Sequence, residues 1–271
     1  MKAGALPVGL GDLRVLGRSL GFAGWTYGFV SAMEVHLLLA GGGRDREIIQ
    51  RWMARYGRGL LDIYGLDVRA AGPHIGAGHV YPGQSARGRG RVFVMNHRSM
   101  LDIFVSLAHL DGTIVSRNDL ERWPVIGLAA RRVGVLFVDR QSKQSGAAVI
   151  NAMTRGLEAG RGVLVYPEGT TFSGDEVRPF RNGAFLAAQR AGAEIVPLGI
   201  AYGGGSAAFV EESFPAHYRR ISSAPKTRVA LSAGEPIVPR EGEALDALRD
   251  RTHEAVQALV RSARARIADA G

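Results

Sequence analysis

The sequence predicts an α/β fold: a mostly parallel central sheet flanked by helices and preceded by a pair of N-terminal helices. Three observations support this. From residue 91 onward, short apolar runs alternate with longer stretches of helical periodicity, which is typical of parallel strands joined by helices. The first 64 residues contain two further stretches of helical character. The chain has 271 residues, 46% of them hydrophobic, which is enough for one large domain with an appendage.

Composition restricts the chemistry that the chain can carry out. It contains no cysteine, which excludes disulfides, thiol chemistry and Cys-ligated zinc and fits a reducing, cytoplasm-facing protein. The formal charge of +9 predicts an anionic partner, either nucleic acid or an acidic membrane surface. Because the chain has no recognised nucleic-acid-binding motif and no basic strip interleaved with aromatics, we do not expect a nucleic acid partner.

The first helical stretch is apolar but short for a membrane span. A basic start precedes 15 uncharged residues, 19–33, which contain several aromatics. A spanning helix needs roughly 20 apolar residues, and extension to Ala40 includes Glu34 and His36. Because we find no convincing signal-peptide cleavage site, we expect a retained helix that enters or lies in one leaflet. The alternative is a helix packed on the protein's own core.

The second helical stretch is amphipathic. Apolar residues recur at a spacing of three to four between Ile48 and Ile63, and the other face is rich in arginine. Those arginines suit an anionic leaflet, although a solvated face is the commoner role for such charges. We therefore predict a membrane-associated helical segment over residues 1–64 and an α/β domain over residues 65–271.

Strands and helices alternate through most of the second segment. Functional side chains in such a fold collect beyond the carboxyl ends of the strands. The predicted elements are a strand at 66–69, an irregular stretch at 71–90, a strand at 91–95, a helix near 100–109, a strand at 112–116, a helix around 123–132, a strand at 134–138, a helix at 144–159, a strand at 163–166, a helix near 182–191, strands at 194–200 and 227–231, and a terminal helix at 241–267.

A histidine and an aspartate follow the strand predicted at 91–95, and their separation in the chain limits how they can contact each other. His97 and Asp102 are five residues apart, which places them on different faces of one continuous helix. They can meet only if His97 lies in the turn and Asp102 in the first helical turn. The carboxylate would then orient one ring nitrogen while the other faces a substrate. The alternative is that Ser99 and Asp102 form a helix-capping box and His97 is a turn residue.

The motif Asn96-His97-x-x-x-x-Asp102 resembles the NHxxxxD signature of the glycerolipid acyltransferases, the bacterial 1-acylglycerol-3-phosphate acyltransferase family. Further blocks match in the same order, and together they cover roughly residues 90–202. They are GVLFVDR at 134–140, YPEGT at 166–170 and IVPLGI at 195–200. A serine-esterase mechanism is disfavoured because the loop at 202–206 lacks a GxSxG pattern.

The resemblance implies transfer of a fatty acyl group from an acyl thioester, of CoA or acyl carrier protein, to the free sn-2 hydroxyl of 1-acyl-glycerol-3-phosphate. The implied catalytic residues are His97 and Asp102. The implied substrate-binding residues are Arg140 for the acceptor phosphate, Glu168, Gly169 and Thr170 at the same end of the site, Arg181 as a second phosphate ligand, and Arg117 where the family commonly carries lysine.

No metal or bound cofactor is implied. The expected partners are lysophosphatidate, anionic membrane phospholipids and the acyl donor, and the expected location is the cytoplasmic face of the cell membrane. Two alternatives remain open at this stage. One is an acyltransferase for another lysolipid such as lyso-ornithine lipid, and the other is a non-enzymic lipid-binding protein with the same fold.

Overall fold

The computed structural model describes residues 9–43, 45–76, 79–117, 135–138, 143–205, 207–210 and 212–268. The helices in these ranges are α1 (Leu10–Leu39), α2 (Asp45–Tyr64), α3 (Leu101–His109), α4 (Lys143–Glu158), α5 (Gly183–Ala191), α6 (Phe214–Ser223) and α7 (Leu245–Ala268). The strands are β1 (Leu66–Ala71), β2 (Val92–Met95), β3 (Thr113–Arg117), β4 (Leu136–Val138), β5 (Val163–Val165), β6 (Ile195–Tyr202) and β7 (Thr227–Ala233).

The strands form one sheet in the order β1-β7-β6-β2-β5-β3-β4. Neighbouring strands pair in parallel except for β6 and β7, which are antiparallel. The predicted α/β class with flanking helices is therefore confirmed, and the sheet is mixed. In this order β2 lies between β5 and β6, so the residues that follow β2 emerge between the carboxyl ends of two parallel neighbours.

Successive side chains of a strand point to opposite faces of the sheet, and both faces of the central strands are buried. Phe93 and Met95 contribute to a core shared with α2 and α3. Val92 and Val94 contribute to a second core shared with α4, α5 and α7. All four β2 side chains are buried, as the unbroken apolar run predicts for a strand covered on both sides.

Two opposite faces of α1 differ in their surroundings. One face is buried against the rest of the protein through Thr26, Phe29, Met33 and Leu37. The opposite face exposes large apolar side chains along its whole length: Leu10, Leu13, Leu16, Leu20, Tyr27, Val35, Leu38 and Leu39. We call these eight residues the α1 stripe. Within the described ranges, no helix combines the length and apolar character needed to cross a bilayer.

Arg18 attaches α1 to the α/β part of the chain. Its guanidinium is buried and donates hydrogen bonds to backbone carbonyls at the ends of α2 and α6, including Ile63 at 3.0 Å and Ala224 at 2.6 Å. Carbonyl groups at a helix C-terminus have no partner within the helix and carry partial negative charge, which suits a buried cation. The N-terminal helix is therefore attached by polar contacts as well as by packing.

Helix α6 has no counterpart among the predicted elements. Its N-cap is Ser213, whose hydroxyl accepts a hydrogen bond from the Ala216 N–H, and Pro215 occupies the first turn. These signals are typical of a helix start, but the helix has only ten residues and one of its buried positions is a histidine. The helix predicted around residues 123–132 lies outside the described residues.

A glycine of α2 allows close contact with α3. A Cβ atom added at Gly57 would lie 2.4 Å from the Ala108 nitrogen and 2.6 Å from the Leu107 carbonyl carbon, both of them backbone atoms of α3. We expect Gly57→Ala to lower the free energy of unfolding by about 1–3 kcal/mol, because the two helices must separate. Chemical denaturation of the purified protein measures this change.

The matched control is Gly146→Ala in α4, where an added Cβ meets no atom within 4 Å. There alanine should be neutral or stabilise the protein by up to about 1 kcal/mol, because it is the better helix former. Equal stability of the two variants would contradict the close α2–α3 contact.

Candidate active site

The end of β2 is fixed by an asparagine side chain that takes over backbone pairing. The Asn96 Nδ2 group donates to the Ile200 carbonyl at 3.0 Å, and the Ile200 N–H donates to Asn96 Oδ1 at 2.8 Å. The Asn96 side chain thus makes the two hydrogen bonds that the backbone of a strand residue would make to β6. This extends the β2–β6 pairing by one position while the main chain turns away from the sheet. His97 occupies this turn.

His97 and Asp102 are in direct contact. His97 Nδ1 lies 2.7 Å from Asp102 Oδ2, with His97 in the turn and Asp102 in the first turn of α3, the placement that their spacing requires. The Asp102 side chain is fully buried, whereas 18% of the His97 side chain is exposed. In the part of the chain that the structure describes, no group hydrogen-bonds to His97 Nε2. One ring nitrogen is therefore oriented by the carboxylate, and the other is unpaired within the described residues.

Half of the predicted capping box is present. Asp102 Oδ2 accepts hydrogen bonds from the backbone N–H groups of Arg98, at 2.6 Å, and Ser99, at 3.0 Å. The reciprocal hydrogen bond, from the Asp102 N–H to the Ser99 hydroxyl, is not formed. The Ser99 hydroxyl instead accepts from the Leu101 N–H at 3.3 Å. The same carboxylate therefore folds the turn and orients the imidazole, so the two interpretations of Asp102 are not exclusive.

A buried ion pair between Arg98 and Glu168 lies beneath the turn. Their nearest atoms, Arg98 Nη1 and Glu168 Oε2, are 2.8 Å apart, and the side chains are 3% and 0% exposed. Glu168 Oε2 also accepts the His97 backbone N–H at 2.7 Å, and Oε1 accepts the Arg178 N–H at 2.8 Å. The Glu168 carboxylate therefore lies under the turn, where these contacts are with protein groups, and its predicted part in acceptor binding stays a prediction.

Arg98 is a residue that sequence reasoning missed. Besides Glu168, its guanidinium donates to the backbone carbonyls of His97, Gly174 and Glu176 at 2.7–2.8 Å. It therefore joins the histidine turn to the loop after β5. The only available signal was a charged residue placed between two buried apolar segments, a position where an unpaired charge is not tolerated.

Gly169, Thr170 and Arg181 lie together beside this turn. Gly169 has a φ of +82°, and an added Cβ would lie 2.5 Å from Arg181 Nε, so the arginine side chain runs against the glycine backbone. Thr170 is exposed, and the Phe172 N–H donates to the His97 carbonyl at 3.1 Å. The loop after β5 thus brings a hydroxyl and a guanidinium to the same side of the sheet as the imidazole.

Residues 79–201 match the family model described as Acyltransferase. The 1-acyl-sn-glycerol-3-phosphate acyltransferase of Neisseria meningitidis serogroup B is 28% identical over 226 residues, which cover 80% of this chain and 82% of that protein. The chain therefore has an acyltransferase domain and resembles the 1-acylglycerol-3-phosphate acyltransferase family. It is an acyltransferase of lipid metabolism, whose family uses lipid substrates and an acyl donor.

Two further comparisons extend this result. The lyso-ornithine lipid O-acyltransferase of Pseudomonas aeruginosa is 30% identical to this acyltransferase over 157 residues, covering 56% of this chain and 60% of that protein. The crystal structure of the 1-acyl-sn-glycerophosphate acyltransferase PlsC from Thermotoga maritima has a TM-score of 0.71 at 18% identity, covering 93% of this chain and 95% of that one. The structural likeness shows that the fold is shared over nearly the whole chain.

Two of the predicted substrate-binding residues of the acyltransferase, Arg140 and Arg117, have side chains outside those that the structure describes. Arg140 lies outside the described residues. Arg117 is the last residue of β3, and its backbone is in register with Val138 of β4, which puts it at the same edge of the sheet as the His97 turn. Its side chain is not among those described, so both assignments stay predictions.

A second histidine supports the active-site turn of the acyltransferase from α6. His217 is buried; its Nε2 lies 3.2 Å from the Ser99 hydroxyl and its Nδ1 lies 3.1 Å from Glu212 Oε1. Burial lowers the pKa of His217, which favours the neutral ring at pH 7. Because the Ser99 hydroxyl accepts the Leu101 N–H, it can donate its own proton to Nε2 of a ring protonated on Nδ1.

Proposed function

We propose that this acyltransferase transfers a fatty acyl group from acyl-CoA or acyl carrier protein to the sn-2 hydroxyl of 1-acyl-glycerol-3-phosphate, giving phosphatidic acid. The observation that carries the proposal is the contact of 2.7 Å between His97 Nδ1 and a fully buried Asp102, with no group of the described residues hydrogen-bonded to Nε2. A neutral imidazole held in this way is a general base for a hydroxyl group.

In the proposed reaction His97 Nε2 removes the proton from the acceptor hydroxyl as its oxygen attacks the thioester carbonyl carbon. A carbon–oxygen bond forms, and the tetrahedral intermediate collapses with cleavage of the carbon–sulfur bond. The leaving thiolate takes the proton back from the imidazolium. Asp102 keeps Nδ1 protonated and stabilises the positive charge that the ring carries between these two transfers.

The acceptor phosphate is proposed to bind beside the loop after β5. Arg181 lies against Gly169 there, and Thr170 offers an exposed hydroxyl. A guanidinium can donate two parallel hydrogen bonds to a phosphate. Arg140 remains the proposed principal ligand on the basis of the family resemblance, and Arg117 a further one. Glu168 is proposed to act indirectly, by holding the His97 backbone N–H.

A lyso-ornithine lipid is the second candidate acceptor. The specific observation in its favour is that lyso-ornithine lipid O-acyltransferases of Pseudomonas aeruginosa and Rhizobium meliloti are 30% and 31% identical to this chain. These values are slightly above the 28% of the Neisseria meningitidis acyltransferase, which aligns over more of its length. The non-enzymic alternative is not supported, since the chain is an acyltransferase.

Acceptor profiling tests the substrate assignment. Purified protein is given a radiolabelled acyl thioester of CoA or of acyl carrier protein, together with 1-acyl-glycerol-3-phosphate, lyso-ornithine lipid or another lysophospholipid. We expect the highest kcat/KM for 1-acyl-glycerol-3-phosphate. A higher value for lyso-ornithine lipid would overturn that acceptor while leaving acyl transfer intact, and thioester hydrolysis with no acylated lipid would overturn both.

We also propose that α1 lies in one leaflet at the cytoplasmic face of the cell membrane. The α1 stripe faces away from the protein, with Leu10, Leu13, Leu16 and Leu20 each more than half exposed. Burial of such side chains in the acyl region is favourable, and the exposed Arg51 and Arg55 of α2 suit anionic headgroups. The acceptor lipid would then reach the site without leaving the bilayer.

Polar substitutions in the stripe should weaken membrane binding. We expect the triple variant Leu13→Ser, Leu16→Ser, Leu20→Ser to bind anionic phospholipid vesicles at least about tenfold more weakly, since each buried leucine contributes roughly 1.5–3 kcal/mol. Vesicle co-sedimentation measures the partition coefficient. Val238→Ser changes an exposed apolar residue outside α1 and is the control. Unaltered binding of a folded triple variant would contradict the leaflet position of α1.

A further inference from the structure

Two tyrosines flank the catalytic turn because of the strand order. Parallel strands β6, β2 and β5 are neighbours, so their carboxyl ends meet at one edge of the sheet. Tyr202 is the last residue of β6, and Tyr166 directly follows β5. His97 follows β2 between them. Each tyrosine contacts a different member of the His97–Asp102 pair.

Tyr202 completes the hydrogen bonding of the buried carboxylate. Its hydroxyl donates to Asp102 Oδ1 at 2.5 Å, while the imidazole and two backbone N–H groups contact the other oxygen, Oδ2. Burial and the neighbouring Asp102 charge raise the pKa of Tyr202 well above its ordinary value, so the hydroxyl stays protonated and acts as a donor. With Oδ1 held, the carboxylate cannot rotate away from the histidine.

Tyr166 fixes the plane of the imidazole. The two rings stack with centroids 4.3 Å apart and an interplanar angle of 25°. The Tyr166 hydroxyl lies 2.9 Å from the Ser106 hydroxyl of α3, the helix that also carries Asp102. One ring face of His97 is thereby covered, and rotation of the ring would break the stack.

We propose that Tyr166 and Tyr202 are positioning residues that hold the imidazole and the carboxylate in the reactive arrangement. The proposal rests on the proposed function for its kinetic consequences. Tyr202 restrains the carboxylate through a hydrogen bond, and Tyr166 restrains the imidazole through a stacked ring. The two act on separate groups by separate contacts, so their substitutions should have distinguishable effects.

The contribution of Tyr202 is its hydroxyl. We expect Tyr202→Phe to lower kcat about tenfold with little change in the KM for the acceptor, which is the fold-change typical of losing one hydrogen bond to a charged group. Without the Tyr202 hydroxyl, the negative charge of the Asp102 carboxylate is less stabilised. The His97–Asp102 pair should therefore hold a proton more strongly. The acidic limb of the kcat/KM profile should therefore move to higher pH.

The contribution of Tyr166 is its ring. We expect Tyr166→Leu to lower kcat about tenfold, because the imidazole plane is no longer fixed, and Tyr166→Phe to recover most of that loss because the stack is kept. Tyr64→Phe is the control. Tyr64 is a buried tyrosine of α2 that donates to the Tyr218 hydroxyl at 3.2 Å and, within the described residues, shares no hydrogen bond or ring contact with His97 or Asp102.

A readout independent of turnover separates this proposal from the proposed function. The downfield proton resonance of His97 Nδ1–H, assigned by its loss in His97→Ala, should shift in Tyr202→Phe and stay in place in Tyr64→Phe. An unshifted resonance together with wild-type kcat and pH profile in Tyr202→Phe would overturn the role of Tyr202. Equal kcat in Tyr166→Leu and Tyr166→Phe would overturn that of Tyr166. Absence of acyl transfer by the wild type, with the resonance shift present, would overturn only the proposed function.

Discussion

His97→Ala is expected to lower kcat for acyl transfer by about a thousandfold, within the range typical of removing a general base. The acceptor hydroxyl would then attack the thioester with no group to take its proton. The KM values should change little, because the imidazole acts on the reacting atoms and the proposed phosphate ligands lie on other elements. Initial rates of labelled product formation, with the enzyme saturated in both substrates, measure the effect.

Two further variants make this test specific. Asp102→Asn should also lower kcat strongly, since an amide neither stabilises the imidazolium nor fixes the Nδ1-protonated tautomer. His79→Ala removes an exposed histidine outside the motif and should leave the rate unchanged. Product formation by His97→Ala at the wild-type rate would remove the imidazole from the mechanism and leave the His97–Asp102 contact a structural one.

The main elements of the fold were predictable because their signals are local. The apolar runs of β2, β5 and β6 identified strands covered on both faces, and helix α3 begins within one residue of its predicted start. The separation of His97 and Asp102 admitted contact in only one arrangement, and that arrangement is the one present. The spacing within residues 97–102 was therefore enough to predict how His97 and Asp102 make contact.

The contacts that hold this core in place were not predictable, because they join residues far apart in the chain. Arg98 pairs with Glu168 across 70 residues, and Tyr202 reaches Asp102 across 100. Strand order determines such pairs, and periodicity does not reveal which strands are neighbours. For the same reason the sequence did not reveal that the Glu168 carboxylate lies under the turn and accepts the His97 N–H.

The antiparallel pairing of β6 and β7 also could not be predicted from the local sequence pattern. A strand pattern specifies which side chains are buried but not the direction of the neighbouring strand. Here β7 follows α6, a helix that has no counterpart among the predicted elements and whose His217 contacts Ser99. Recognition of α6 would have shown that the chain returns to the sheet after passing beside the active-site turn.

The second large effect is expected from breaking the buried ion pair. Arg98→Met should lower the free energy of unfolding by about 3–5 kcal/mol, because it leaves the Glu168 carboxylate charged and unpaired in the interior. The carbonyls of His97, Gly174 and Glu176 lose a donor at the same time. At roughly 2–4 °C for each kcal/mol in a domain of this size, the melting temperature should fall by about 10 °C.

The structure offers a matched control in Arg178, whose side chain is 48% exposed and lies 3.9 Å from Glu176. Arg178→Met breaks a surface pair and should alter stability by less than about 1 kcal/mol. The double variant Arg98→Met, Glu168→Gln should be less destabilised than Arg98→Met alone, since no buried charge is left unpaired. If Arg98→Met melted at the wild-type temperature, the pair would not hold the turn. The placement of the His97 backbone would then depend on its hydrogen bonds to Glu168 and Phe172 and on the neighbouring Asn96 and Asp102.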